Sequence, residues 1–424
     1  MTSAERRAAW CWCAFGAALL AVVAATVVPW DWLPGGRLAA TDPDAGLAPA
    51  TLERIDHYRD RVVPLGLAAT AVSLVVALGL ALTPAGARLV RALPGRRRWP
   101  LHLLVAVLAL VLVGRLAVLP VSIPTEIARR EAGLSTLTWP GWLLDVGRGV
   151  LVETLSTTLA LVVLLAFVRW GRRGWWLLVS AAAAALVVAG SYAYPVLVEP
   201  VFNSFTPMRD GDLRTSLVEL AEDDGIAVDE VLVADASRRT TALNAYVSGF
   251  GSTRRIVVYD TLLRAAPPEQ VRLVVAHELG HAEADDVLTG TLLGAAGVAS
   301  GVTLLLVVAS HPRVRRRAGV DGLGTVEAVP LLLGLAAAAS LLAVPVQGVV
   351  SRAVEARADL HALELTGDVA TFEAMQRRLA SANLSDPDPP AWLQVWFGTH
   401  PTTAQRIALA QGWADRERAA TGQG

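Results

Sequence analysis

The sequence predicts a mostly α-helical, polytopic membrane protein, with seven transmembrane helices and one small α+β domain assembled from two separated polar segments. Three observations carry this reading. First, hydrophobic residues make up 54% of the 424 residues and charged ones only 18%, against about 25% in an ordinary soluble domain; the mean hydropathy is +0.48. Second, seven apolar stretches come close to or exceed the roughly 20 residues needed to cross a bilayer. They lie near 10–30, 62–83, 101–122, 150–168, 174–193, 287–310 and 327–349. Third, 194–286 and 350–424 are polar and mixed in pattern. The chain thus divides into five spans with their loops (1–193), a first polar part (194–286), two more spans (287–349) and a second polar part (350–424).

Charge and cysteine content exclude several classes. The 37 cations and 38 anions give a formal net charge of -1, so nothing points to nucleic acid. Every cation is Arg, which rules out Schiff-base chemistry on a lysine. Cys11 and Cys13 are too few for a disulfide scaffold or a thiolate metal site, and no Gly-rich phosphate loop suggests a nucleotide. In the first span, Arg6 and Arg7 precede an apolar core as in a signal peptide. It lacks a clean small-residue cleavage site, and Trp30 and Trp32 read as interfacial anchors, so a retained helix is expected. Glu153 falls inside the fourth span, where a carboxylate is costly unless it faces a cavity or a partner.

In the first polar part, 212–223 reads as an amphipathic helix with Leu213, Leu217 and Leu220 on one face. Residues 228–233 and 255–259 read as short β-branched strands, and 244–249 as a strand ending in glycine. The second part is expected to open with a helix over 351–366. A second helix follows over 370–382, then a Pro-rich loop over 386–390 and a last helix from 402.

The chemistry concentrates in His277-Glu278-Leu279-Gly280-His281. Pro267 and Pro268 mark a helix start, and Val271, Val274, Val275 and Leu279 give that helix an apolar face. His277 and His281 then stand one turn apart on one side, where both imidazoles bind a single zinc ion. Glu278 is placed beside the activated water as general base. A third protein ligand is required. Glu355, just after the seventh span, is a candidate, with Asp359 one turn on to hydrogen-bond a ligand histidine. Glu364 and His361 on the same helix are rivals, and spacing does not choose among them. His400, before Pro401, is placed to donate to the oxyanion of a tetrahedral intermediate. On a plainer reading it belongs to the loop before the last helix, and Arg406 makes a structural ion pair. His57, His102 and His311 lie at span borders and read as interfacial.

Beyond these motifs the chain resembles the CAAX prenyl endopeptidase family of seven-span membrane zinc metalloproteases. The resemblance rests on Tyr194-Pro195 through Glu199-Pro200-Val201-Phe202-Asn203, Phe205-Thr206-Pro207 and Gly211-Asp212-Leu213. It continues through Asn244-Ala245-Tyr246 with Gly249, the HELGH motif, Ser351-Arg352 with Glu355 and Ala358-Asp359, and His400-Pro401 with Arg406. Loop 120–145, with Glu131, Gly133 and Trp139, is similar to the family's loop between spans three and four. The resemblance implies that Glu355 is the third zinc ligand, and that Asn244, Ala245 and Tyr246 form an edge strand that pairs with substrate. His400 then acts at the scissile peptide. It also implies a ring of seven helices around a water-filled chamber, closed at one end by the zinc site, a lumen that Glu153 suits. Two places depart from the family: Gly133-Leu134-Ser135 replaces Gly-Phe-Asn, and Ala242-Leu243 stands where His-Ser is usual. These bear on substrate rather than on metal chemistry.

The expectation is therefore a peptidase with one zinc ion per chain. Its substrate is a polypeptide, lipidated or membrane-associated, and its setting a multi-pass place among membrane lipids, as a monomer. The Lys-free, Ala- and Arg-rich composition suggests a high-GC bacterium and its inner membrane, where farnesylated substrates are not expected. Two rivals stand beside this reading. An intramembrane protease is disfavoured by Arg264, Glu269, Gln270 and Arg272 before the motif, and by Glu283, Asp285 and Asp286 after it. A seven-helix chaperone or transporter with a structural zinc clamp would need a fourth ligand that the sequence does not offer. On orientation two arguments conflict. The loops at the N-terminus, 84–100, 169–173 and 311–324 carry 14 arginines against 7 in 31–61 and 123–149. That excess puts the polar parts outside the cell, whereas the family generally works on the cytosolic face.

Overall fold

The computed structural model describes residues 3–30, 42–171, 173–228, 230–249 and 254–421; the expected anchor Trp32 lies outside them. The chain opens with α1 (Ser3–Val27), α2 (Pro49–Leu82) followed by the short α3 (Pro84–Ala92), α4 (Trp99–Glu131), α5 (Trp139–Trp170) and α6 (Trp175–Ala193). After α6 the chain passes through one π-helical turn, Tyr194–Val198, into α7 (Glu199–Phe202). Pro195 and Pro200 remove backbone donors there, which accounts for the irregular turn. Next come β1 (Phe205–Pro207), α8 (Asp212–Asp223), β2 (Glu230–Ala234), β3 (Ala245–Ser248), β4 (Arg255–Tyr259), α9 (Asp260–Ala265) and α10 (Pro268–Glu283). The chain continues with α11 (Asp286–Ala309), α12 (Pro312–Ala318), α13 (Val329–Thr366), α14 (Val369–Asn383), α15 (Ala391–Phe397) and α16 (Thr403–Ala420).

Seven of these helices are long and apolar enough to cross a membrane, one for each apolar stretch. Several run well past the stretch itself. α4 continues through Pro120 and Pro124 to Glu131, as helices in membranes tolerate internal prolines. The helix expected to open the second polar part is instead the tail of the seventh span. α13 runs unbroken past Pro345 until Gly367, at φ 64, ends it. Nothing between 351 and 366 breaks a helix, and Gly367 is the first residue suited to a left-handed cap.

The spans pack in the order α2–α4–α5–α6–α11–α13 and back to α2, with α1 against α11. Leu103, Val107, Leu165, Leu306 and Leu331 are among their buried residues, with Val90 of α3 packed beside them. At Gly334 an added Cβ would lie 2.4 Å from the Ala81 Cβ and 2.7 Å from the Ala77 carbonyl, so α2 and α13 meet backbone to backbone, as small residues allow in membranes. Within the ring, Arg115 on α4 pairs with Glu153 on α5 at 2.7 Å, so the intramembrane carboxylate has a partner.

The two polar parts meet on one core. Leu217 and Leu220 of α8, Ile256 and Val258 of β4, Leu279 of α10, Leu363 of α13, and Phe372 and Met375 of α14 bury together. Each full burial is worth roughly 1.5–3 kcal/mol, enough to hold pieces from distant parts of the chain in one register. The sheet runs β1-β2-β4-β3. β2 and β4 are parallel, and the outer pairs antiparallel. Among the described residues β3 pairs only with β4, so its other edge is open. β1, α7 and α15 were not expected, since runs of three to seven residues carry too little periodicity to be read.

Candidate active site

Helix α10 begins at Pro268, where a missing donor costs nothing. It buries Val271, Val275, Ala276 and Leu279 against the shared core. The opposite side carries His277 and His281, whose rings stand 4.9 Å apart and nearly perpendicular. α13 crosses this helix at Gly280. A Cβ there would lie 3.0 Å from the His361 Cβ and 3.2 Å from the Ala358 Cα. The glycine therefore sets how closely the two helices approach, and that approach delivers Glu355 to the histidines. Glu355 Oε2 lies 3.3 Å from His277 Nε2, and Oε1 lies 3.7 Å from His281 Nε2.

One donor atom from each of His277, His281 and Glu355 falls within 4.8 Å of the others. Ligands about 2.0–2.2 Å from a tetrahedral zinc ion lie ~3.4 Å from one another, so the spacing suits such an ion. Glu355 Oε2 is also buried without a hydrogen bond, an oxygen that a cation would satisfy. The rivals are placed elsewhere. His361 pairs with Asp224 at 2.9 Å, and Glu364 is exposed.

Each histidine is backed by a carboxylate that is itself held. His277 Nδ1 lies 2.9 Å from Asp359 Oδ1. Asp359 is wholly buried and takes hydrogen bonds from Arg406 Nε, at 2.8 Å, and from Arg406 Nη2. Asp359 and Arg406 thus stand together behind His277. His281 Nδ1 lies 2.9 Å from Asp286 Oδ2, and Asp286 accepts from Arg357 Nη2. Sequence reasoning missed Asp286 and Arg357 as a supporting pair. The available signal was a carboxylate five residues beyond His281, at the start of the next span.

Glu278 faces a cavity of about 1030 Å³ that reaches from His277 and His400 to Arg115 in the middle of α4. Burial pushes its carboxyl above the usual range, against the lowering influence of the neighbouring histidines. His400 Nε2 lies 3.3 Å from Glu355 Oε1 on the other side of the ligand cluster. Its ring contacts the Thr399 hydroxyl at 2.9 Å, and its carbonyl accepts from Gln394 Nε2 at 2.7 Å. Asn244 is exposed on the cavity wall at the start of β3, and its carbonyl accepts from Tyr259 N at 3.1 Å. Ala245 is buried opposite Val258, and Tyr246 pairs with Val257. The Tyr246 hydroxyl donates to Glu199 Oε2 at 3.1 Å, tying the edge strand to α7 at the foot of the fifth span.

Comparison with known proteins places this architecture. Residues 207–414 match peptidase family M48, and 46–204 match the family described as CAAX prenyl protease N-terminal, five membrane helices. The uncharacterized metalloprotease YhfN of Bacillus subtilis is 28% identical over 311 residues, covering 72% of each chain. A CAAX prenyl protease 1 homolog of Oryza sativa is 27% identical over 320 residues, 73% of each. CAAX prenyl protease 1 of Saccharomyces cerevisiae is 42% identical over a shorter stretch of 88 residues, 20% of this chain and 19% of that one. The crystal structure of S. mikatae Ste24p superposes with a TM-score of 0.76 at 18% identity, covering 95% of this chain and 98% of that one.

Proposed function

Because the chain belongs to peptidase family M48, we propose that it hydrolyses membrane-associated polypeptides with one zinc ion held by His277, His281 and Glu355. It is a multi-pass membrane metalloendopeptidase. The observation that carries it is the convergence of three ligand atoms, one of them a buried carboxylate oxygen without a hydrogen bond, beside Glu278 on the cavity wall.

When bound, zinc acts as a Lewis acid that acidifies water and polarises the scissile carbonyl. Glu278 takes the proton from the attacking water at its carboxylate and hands it to the departing amine. Its raised pKa suits the first of these steps, since a more basic carboxylate takes the proton from water more readily. Asp359 and Asp286 keep Nδ1 of each histidine occupied, which leaves both Nε2 atoms for the ion. His400 donates to the oxygen on which charge develops. The peptide adds to the open edge of β3 by main-chain pairing, with Asn244 at its end, and the Tyr246–Glu199 bond steadies that edge.

The relatives named CAAX prenyl proteases favour a substrate that is lipidated or membrane-associated; the single-chain cavity suits a monomer, and the Lys-free, Ala- and Arg-rich composition a bacterial inner membrane. A structural clamp is less favoured, because three ligands leave a tetrahedral ion one open position. The test is Glu278→Gln. Cleavage of a fluorogenic peptide falls by about a hundredfold or more while metal content stays at one ion per chain. Unchanged cleavage would remove Glu278 from the mechanism.

A further inference from the structure

Helix α15 has no buried residue. Its sequence, Ala391-Trp392-Leu393-Gln394-Val395-Trp396-Phe397, is nonetheless among the most apolar outside the spans, and 389–398 carries no charged side chain. Trp392 is 51% exposed and Trp396 37%, with Val395 exposed as well. A soluble surface rarely leaves such a patch uncovered.

The position of the helix says what covers it. α15 packs on α13, where a Cβ added at Gly348 would meet the Gly398 carbonyl at 3.0 Å and the Val395 carbonyl at 3.8 Å. On α13, Leu342 is 72% exposed and Val346 67%, and neither lines the cavity. They belong to the apolar stretch of the seventh span, which ends at 349 before Arg352 opens the polar part. Packed at Gly348, α15 therefore lies at the level where that stretch leaves the bilayer. Its other side turns inward, since Gln394, Phe397 and Gly398 line the cavity. The helix is also braced to the site. Arg352, one turn before Glu355, donates to the Gln394 carbonyl at 3.0 Å and to the Gly398 carbonyl, and Gln394 holds the His400 carbonyl.

We propose that α15 is an interfacial helix seated in the headgroup–acyl boundary of the bilayer, holding the mouth of the cavity and the His400 loop at the membrane surface. Tryptophan suits that boundary, with an apolar body in the acyl region and an N–H among the headgroups, and an amphipathic segment there sinks about 5–10 Å into it. This deepens the peptidase reading and rests on it only for the consequence for substrate. A peptide anchored in the same bilayer reaches the site along the surface, past α15, at a high effective concentration.

The test uses the full chain in lipid nanodiscs, with Cys11→Ser and Cys13→Ser removing the native thiols. Single cysteines replace Trp392, Trp396, Val346 as a lipid reference and Asp415 as an aqueous one, each labelled with bimane. Labels at 392 and 396 are quenched by nitroxide lipid as at 346, and are protected several-fold from iodide relative to 415. Iodide quenching equal to that at 415, or shielding from both quenchers, overturns the proposal. In a second arm, Trp392→Gln with Trp396→Gln leaves cleavage of a soluble peptide unchanged and lowers cleavage of a bilayer-anchored one by about tenfold. Equal loss on both peptides, or no loss on the anchored one, overturns the coupling to substrate. A parent protein that cleaves neither peptide counts against the peptidase reading alone, and the quenching still decides where α15 lies.

Discussion

Asp359 is buried completely, and a buried carboxylate without partners would cost several kcal/mol. Here it faces His277 and accepts both hydrogen bonds from Arg406, so the charge is spent on orienting a ligand. Asp286 does the same for His281 with Arg357 behind it. Asp359→Asn and Asp286→Asn are each expected to weaken metal binding about 10–100-fold, read by competition with a chromophoric chelator. Affinity unchanged in both variants would make these contacts structural only. The metal-free site carries its own counter-ion. Burial works against a charged His277, but the carboxylates of Asp359 and Glu355 outweigh it and push the imidazole up to about 10. A metal ion must displace that proton, so affinity rises with pH below about 10 and binding at pH 7 releases roughly one proton. Calorimetry in two buffers of different ionisation heat measures the release, and a buffer-independent heat contradicts it.

At the scale of elements, the site depends on how closely α10 and α13 cross. Gly280 has neighbours at 3.0 and 3.2 Å from where a Cβ would stand, one of them backbone, so a branched side chain must push the helices apart. Displacement by about 1 Å of one ligand relative to two others costs on the order of a hundredfold at a geometric site. Gly280→Val is therefore expected to lose metal affinity to that degree while the far-UV circular dichroism keeps its helical signature. Retained affinity would mean that the crossing tolerates the extra volume. The continuity of α13 matters for the same reason. A ligand carried on an unbroken extension of a transmembrane helix has its position set by the whole membrane bundle, which a flexible linker at 350 would not provide.

At the scale of the molecule, the ring of spans and the two polar parts enclose the route to the ligands. Gly149 lies on the cavity wall, and an added Cβ there meets nothing within 4 Å. Gly149→Trp fills open space on α5, a helix that supplies no ligand. It is expected to leave metal content and thermal stability within error and to lower the kcat/KM of a long peptide by about tenfold. Full activity in that variant would show that substrate does not pass this part of the cavity.

Much of this protein was legible in its sequence because the relevant information was local. A run of about 20 apolar residues needs no tertiary context to choose a helix across a bilayer, and all seven such runs became one. The i, i+4 spacing of His277 and His281 places both on one helical face, and Glu278 comes with them. The helix at 212–223 follows from its own periodicity and the strand at 255–259 from its β-branched composition. What spacing left open among Glu355, His361 and Glu364 was a question of helix phase. All three ride on α13, and which one points at α10 depends on where the two helices cross, which Gly280 and the shared core of Leu279, Leu363 and Phe372 decide. Asp286 lies five residues beyond His281, but Arg357 reaches Asp286 only when the sixth and seventh spans are packed together. Local propensity acts within a few residues along the chain, whereas a metal site is built from groups 78 positions apart, His277 and Glu355, and only tertiary packing brings such groups within the few ångströms of a metal–ligand bond.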